Sequence, residues 1–145
     1  MYLKQLSVFI ENREGRLGDV LEILKANDIN IISLSLADTA DYGMLRLLVN
    51  STEKALEALK SNGFSASLTN VTVVKMPHKT GQLQELAALL CNAKINIEYM
   101  YSISLGQDDA CIVFKASDSL DGLADKFKSE GVEFVSQAEI AEMVK

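Results

Sequence analysis

The strongest constraint on the fold of this sequence is a motif that occurs twice in register. A glycine-containing loop, an apolar helix pattern and an Ile-Asn-Ile strand start appear in the first half of the chain and again in the second. Gly15 recurs as Gly81 and Asn30 recurs as Asn96, each 66 positions later. Each glycine stands where a loop opens a helix, and the first N–H groups of a helix lack partners within it. The motif therefore predicts two similar domains, each with a place to hold a small anion or carboxylate.

The length and composition agree with two small domains. The chain has 145 residues, of which 48% are apolar, so each half can bury a core. A single proline and a charged content of 23% argue against disorder. We expect a first domain over residues 1–70 and a second over residues 71–145 that ends in a short C-terminal helix.

The charge and hydropathy patterns exclude several classes of partner. The net charge is -6 and the basic residues are scattered, which argues against nucleic acid, because phosphate contacts need clustered Lys and Arg. The densest apolar stretch, residues 29–37, is broken by polar side chains and is too short to span a membrane. The N-terminus lacks the charged-then-apolar pattern of a signal peptide, so a cytoplasmic location is expected.

The hydrophobic periodicity of each half predicts the order β-α-β-β-α-β. The first helix of each half has one apolar face, with spacings of three, four and seven residues. These faces are Leu17, Val20, Leu21 and Leu24 in the first half, and Leu83, Leu86, Ala87 and Leu90 in the second. The other elements of the first half are strands over 3–10, 29–37, 44–49 and 64–68, and a second helix with Ala55, Leu56 and Leu59 on its inner face. Ser51 or Thr52 is expected to cap that helix, and Gly63 to end it.

The second half repeats these elements with two residues inserted near 119–122. The predicted hairpin turn is 106–109, the second helix has Leu123, Ala124 and Phe127 on one face and ends at Gly131, and the last strand covers 132–135. Ser136 and Glu139 are spaced as a capping box that opens the terminal helix.

The order βαββαβ is the split βαβ, or ferredoxin-like, unit. We therefore predict an α+β protein of two such domains, each with a four-stranded antiparallel sheet and both helices on one face. No flexible linker interrupts Thr69-Asn70-Val71, so the domains should be rigidly coupled. On the face without helices, Met44, Leu48, Cys111 and Val113 are apolar, which indicates that another domain or a second chain covers it. The alternative is a mildly apolar exposed sheet.

Catalytic and metal-binding motifs are missing from the sequence. The one histidine and the two cysteines, Cys91 and Cys111, do not make a zinc site and are better read as a loop residue and two free thiols. Neither a phosphate-binding glycine loop nor a nucleophile elbow occurs. We therefore expect no cofactor and no enzymatic activity.

The glycine loops and the asparagines each allow two interpretations. A glycine at this position either lets a ligand approach the backbone or simply permits a tight turn, and the in-register repetition favours the ligand. Asn30 and Asn96 either cap the preceding turn or direct an amide toward a ligand, and the residues alone do not separate these. Asn12 and His78 share one repeat position and could each donate a hydrogen bond to a ligand.

The basic residues beside the loops are equally open to two interpretations. Arg13, Arg16 and Lys79 could attract a carboxylate, or they could be surface charges at helix starts.

Glu-Asn-Arg-Glu-Gly-Arg-Leu, followed by a helix and Ile-Asn-Ile-Ile, resembles the ACT domain, the regulatory amino-acid-binding module of metabolic enzymes. The resemblance covers nearly the whole chain as two tandem copies. Glu14 and Thr80 stand where the family often has proline. Ile10 and Met76 stand where some serine-binding members have histidine, so serine is not implied as the ligand.

The resemblance implies an allosteric, amino-acid-binding regulatory protein. ACT domains pair through their sheets and bind amino acids at the interfaces between them, so a homodimer and a metabolic enzyme or other partner are expected. A ligand-free protein-interaction module with the same fold is the alternative. The implied ligand-binding residues are Asn12, Arg13, Glu14, Gly15, Arg16, Leu17, Asn30 and Ile31 in the first copy, and His78, Lys79, Thr80, Gly81, Gln82, Leu83, Asn96 and Ile97 in the second.

Overall fold

The computed structural model of the chain describes residues 2–38, 41–104 and 110–142. Within these residues the strands are β1 (Leu3–Glu11), β2 (Ile31–Asp38), β3 (Tyr42–Val49), β4 (Ser65–Met76), β5 (Ile97–Ile103), β6 (Ala110–Ala116) and β7 (Glu133–Phe134). The helices are α1 (Arg16–Ala26), α2 (Thr52–Ser61), α3 (Gln82–Asn92), α4 (Ala124–Ser129) and α5 (Gln137–Glu142). The predicted order of elements is thus confirmed in both halves, whereas the turn predicted at 106–109 lies outside the described residues.

The helix ends follow local sequence signals with one exception. The capping box is confirmed: the Glu139 N–H donates to the Ser136 hydroxyl at 3.2 Å, and the Ser136 N–H donates to the Glu139 carboxylate at 3.1 Å. Ser51 occupies the N-cap position of α2, but its side chain makes no capping hydrogen bond. The prediction of a Ser51 or Thr52 side-chain cap is therefore wrong, although the Ser51 carbonyl accepts the first helical hydrogen bond, from Ala55 at 3.0 Å.

The strand order differs from the prediction of two separate sheets. The strands of the first half are ordered β2-β3-β1-β4, and those of the second half β7-β4-β6-β5. The pairs β1–β3, β2–β3, β4–β6, β4–β7 and β5–β6 are all antiparallel. Both orders include β4, so the strands form one hydrogen-bonded sheet instead of two independent four-stranded ones. Thr69-Asn70-Val71 contains no glycine or proline, and β4 continues through Asn70 because its two halves pair with different strands.

The described residues divide into two compact units. The N-terminal unit consists of Lys4–Asn70 with residues 140–142 of α5, and the C-terminal unit consists of Val71–Glu139 with residues 2 and 3. In the N-terminal unit the core includes Leu6, Val8, Val20, Leu24, Leu45, Leu47, Ala55 and Leu59. In the C-terminal unit the core includes Val74, Met76, Leu86, Leu90, Ile112, Phe114, Leu120 and Phe127. Each core thus lies between the helices and one face of the strands. The predicted inner face of α4 is wrong at Ala124, which is exposed, and confirmed at Phe127.

Several residues on the helix-free faces are already buried in the single chain. Leu48, Cys111 and Val113 are each at most 2% exposed, and Met44 is half-buried. Burial at these positions therefore needs no second chain. Phe9, which lies opposite Met44 on the helix-free face, is 45% exposed. Leu34 and Leu36 on the edge strand β2 are also exposed.

Candidate functional site

The first glycine loop ends at a left-handed residue that leaves helical N–H groups unpaired. Gly15 is the N-cap of α1 with φ 88° and ψ -16°, a conformation that glycine adopts without strain, and no side chain caps the helix. The Asp19 N–H donates to the Gly15 carbonyl at 3.0 Å. The N–H groups of Leu17 and Gly18 have no acceptor among the described residues. The loop therefore offers two free donors at the positive end of a helix, where a carboxylate is favoured.

The second loop repeats this geometry closely. Gly81 is the N-cap of α3 with φ 86° and ψ -6°, again without a side-chain cap. The Glu85 N–H donates to the Gly81 carbonyl at 3.1 Å, and the N–H groups of Leu83 and Gln84 have no acceptor among the described residues. Leu83 is nearly half exposed, unlike the half-buried Leu17 at the same repeat position. The predicted inner face of α3 is therefore wrong at Leu83 and at Ala87, which is also exposed, and confirmed at Leu86 and Leu90.

The two arginines of the first loop are already paired. Arg13 contacts Glu11 at 2.9 Å, and Arg16 contacts Asp19 at 3.2 Å. The Arg16 guanidinium carbon also lies 4.3 Å from the centre of the Phe64 ring, a cation–π geometry. Arg16 Nε is buried and has no hydrogen-bond acceptor in the part of the chain that the structure describes. Both arginines thus form ion pairs within the unit, and a ligand carboxylate would have to compete with Glu11 or Asp19 for them.

The polar residues of the second loop are less constrained. His78, Lys79 and Thr80 are exposed, and their side chains have no hydrogen bond or ion pair among the described residues. Gln82, at the position of Arg16, is only 5% exposed. The two loops therefore share a backbone and differ in the side chains around it.

The two asparagines begin the strands after α1 and α3, and neither caps the preceding turn. The carbonyl of Asn30 accepts the Asn50 N–H at 3.1 Å, and the carbonyl of Asn96 accepts the Ser117 N–H at 2.9 Å. The Asn30 N–H donates to the Asn50 side-chain oxygen at 3.0 Å. Both asparagines are exposed, as is Ile31, whereas Ile97 is half-buried. The capping interpretation is therefore wrong, and the ligand-facing interpretation stays a prediction.

The loop and the asparagine of one repeat lie at opposite ends of their unit. They are joined by α1, whose 11 residues span about 16 Å at about 1.5 Å per residue. The Asn12 N–H donates to the Asp41 carbonyl at 2.9 Å, near the start of β3, whereas Asn30 pairs with Asn50 just beyond its end. The predicted ligand-binding residues therefore form two separate groups within each unit. One amino acid cannot contact both groups of the same unit.

A small pocket lies beside Asn30. It has a volume of about 230 Å³ and is lined by Leu21, Leu24, Lys25, Asp28, Ile29, Asn30 and Ile31. Since a water molecule occupies roughly 30 Å³ of liquid, the pocket has room for a small solute. Its lining combines apolar side chains with one base, Lys25, and one acid, Asp28, and such a lining suits a molecule that is partly apolar and partly charged.

Three residues near these groups were not predicted from the sequence. Phe64 contacts Arg16, while Asn50 and Ser117 contact the two asparagines. Asn50 and Ser117 are 67 residues apart, so the repeat offset of 66 does not align one with the other. Their position directly after β3 and β6 is the signal that could have identified them.

Metal and membrane chemistry find no support in the described residues. No group of three or more His, Cys, Asp or Glu residues in this part of the chain is close enough to hold a metal ion. None of the helices in residues 2–38, 41–104 and 110–142 is long and apolar enough to cross a membrane.

The sequence matches a known family over almost its entire length. The model of the ACT domain pair covers residues 1–144. This chain belongs to the ACT-domain-pair family. ACT domains are ligand-binding regulatory modules, so the ACT pair described here is a regulatory rather than a catalytic module. No curated protein matches its sequence.

Two solved structures resemble the ACT pair along most of its length. Protein BT0572 from Bacteroides thetaiotaomicron is 34% identical, with a TM-score of 0.88, over 98% of this chain and 97% of that one. The ligand-free regulatory subunit of aspartate kinase from Thermus thermophilus is 12% identical, with a TM-score of 0.60, over 98% of this chain and 92% of that one. At that identity the second likeness shows the shared fold alone.

Proposed function

We propose that this ACT pair binds a free amino acid at interfaces between ACT domains and signals its presence to a metabolic enzyme or another partner. The observation that supports the proposal is the separation of unpaired groups within the N-terminal unit. Free N–H donors lie at Leu17 and Gly18, and a free side-chain amide lies at Asn30, about 16 Å away along α1. A site that uses both groups must combine the loop of one domain with the asparagine of another.

The chemistry of the two groups matches the two ends of an amino acid. The N–H groups at the start of α1 or α3 would donate hydrogen bonds to the α-carboxylate. The side-chain oxygen of Asn30 would accept a hydrogen bond from the α-ammonium group, and its NH₂ would donate to the carboxylate. A ligand held this way stabilises one arrangement of domains over another, and that differential affinity is the regulatory signal.

The further parts of the proposal concern assembly and role. Leu34 and Leu36 are 42% and 45% exposed on β2, which pairs with β3 on one side and forms an edge of the sheet on the other. This exposed edge favours a homodimer that forms through β2. The protein would act in the cytoplasm without catalysing a reaction. The Thermus thermophilus protein, which shares this fold, is a regulatory subunit of aspartate kinase and so illustrates the kind of enzyme partner proposed.

A thermal-shift screen against the twenty amino acids tests the proposal. An amino acid present at 100 times its Kd stabilises the folded protein by about 2.7 kcal/mol, which raises Tm by several degrees. A rise with one amino acid or a related subset supports the proposed function. If none of the twenty raises Tm at millimolar concentration, the chain is instead a ligand-free interaction module.

Two substitutions then locate the site. Asn30→Ala removes the free amide but keeps both backbone bonds to Asn50, so it should weaken binding without unfolding the protein. Gly15→Asp places a carboxylate beside the free N–H groups and should weaken binding by repulsion. Asn62→Ala is the matched control, since Asn62 is an exposed asparagine at a helix end whose amide donates to the Ala58 carbonyl. If all three variants bind the amino acid with the affinity of the wild-type protein, the site lies elsewhere.

A further inference from the structure

The two repeats use the residue after the third strand of the repeat in different ways. In the N-terminal unit this residue is Asn50, whose side-chain oxygen accepts the backbone N–H of Asn30 at 3.0 Å. In the C-terminal unit it is Ser117, whose hydroxyl accepts the side-chain amide of Asn96 at 3.2 Å. The same backbone bond, from the N–H of this residue to the asparagine carbonyl, is present in both units. The difference therefore comes from the side chains alone.

This difference leaves the two asparagines unequally available to a ligand. The Asn30 amide makes no hydrogen bond among the described residues and is exposed to solvent. One of the two N–H groups of the Asn96 amide already donates to Ser117, so a ligand that uses this donor must compete with that bond. A hydrogen bond of this kind contributes a factor of about three to ten to an equilibrium.

We infer that Asn50 and Ser117 set the relative affinities of the two amino-acid sites of this chain. Asn50 occupies the backbone N–H of its neighbour and leaves the Asn30 amide free. Ser117 occupies one N–H of the Asn96 amide and thereby weakens the site to which Asn96 contributes. The inference rests on the proposed function, since it describes how strongly each site holds the same amino acid.

The repeats also supply a physical reason for the difference. Serine has a shorter side chain than asparagine and a hydroxyl that can act as donor or acceptor. Asparagine has a carbonyl oxygen one atom farther from the backbone, which reaches the N–H of the preceding strand. Exchange of the residue types at positions 50 and 117 should therefore exchange the behaviour of the sites.

Isothermal titration calorimetry on the full chain tests the inference, with each amino acid that raises Tm in the screen. The wild-type protein should show a tighter and a weaker site per chain. Ser117→Asn and Ser117→Ala should each tighten the weaker site about three- to tenfold. Asn50→Ser should weaken the tighter site by a similar factor. Ser129→Ala, which removes an exposed serine that donates to the Lys126 carbonyl, should change neither site.

The outcomes separate this inference from the proposed function. If the wild-type chain binds an amino acid and the substitutions at 50 and 117 leave both affinities within twofold, the inference is wrong while the proposed function stands. Tightening by Ser129→Ala equal to that by Ser117→Ala would also overturn it. If no amino acid binds the wild-type chain, both the proposed function and the inference fail.

Discussion

The two glycines at the start of α1 should respond to the same substitution with opposite signs. Gly15 has φ 88°, and a methyl group added there would meet no atom within 4 Å. Gly15→Ala therefore costs only backbone strain, about 1–2 kcal/mol for a left-handed residue, partly offset by about 0.4–1 kcal/mol from the stiffer unfolded chain. Gly18 lies inside α1 in equally open space, so Gly18→Ala should stabilise the helix by about 0.5–1 kcal/mol.

Urea unfolding followed by circular dichroism measures both effects. With an m value of about 2 kcal/mol/M, the two variants should differ in midpoint by roughly 0.7 M urea, on opposite sides of the wild-type protein. Gly81→Ala is the matched second case, because Gly81 has φ 86° and the same open surroundings. It should fall on the destabilised side with Gly15→Ala. If Gly15→Ala and Gly18→Ala shift the midpoint in the same direction at unchanged m, the left-handed N-cap is not what the glycine supplies.

Three further predictions concern side chains. Arg16→Gln removes the contact with Phe64 and should lower the free energy of unfolding by about 0.5–1 kcal/mol, measurable by the same urea titration; no change would mean that the contact adds nothing. Phe127→Ala empties a fully buried position and should cost about 3–5 kcal/mol, seen as a large drop in Tm, and a drop of only a degree or two would contradict its burial. A thiol-reactive dye should label Cys91 rapidly in the native protein and Cys111 only after denaturation, because Cys91 is exposed and Cys111 is buried; rapid labelling of both thiols would contradict this.

The sequence was sufficient to predict the elements because each depends on local patterns. The spacing of Val20 and Leu24 marks a helix face regardless of its neighbours, and both are fully buried. The capping box at Ser136 is equally local. The sheet was harder, since the continuation of β4 through Asn70 depends on which strands pair with each half of it. Propensity at one position does not encode that pairing.

The candidate site was only partly predictable, for a geometric reason. Gly15 and Asn30 belong to one repeat motif, but α1, which is about 16 Å long, separates them. The partner contacts of Arg16 were also hidden, because Phe64 follows it by 48 residues and no periodicity links them. Contacts between distant positions depend on tertiary packing, which composition and spacing do not report.

The repeat therefore predicts where the sites lie more reliably than how strong each one is. The backbone features recur in both units: a left-handed glycine, two unpaired N–H groups and a carbonyl bond at each asparagine. These follow from the fold, which is common to both halves. The side-chain features differ, with Arg16 replaced by Gln82 and Asn50 by Ser117. Since affinity depends on side chains that compete with or support the ligand, two sites with the same backbone need not bind equally, and the residues that differ are where their strengths are determined.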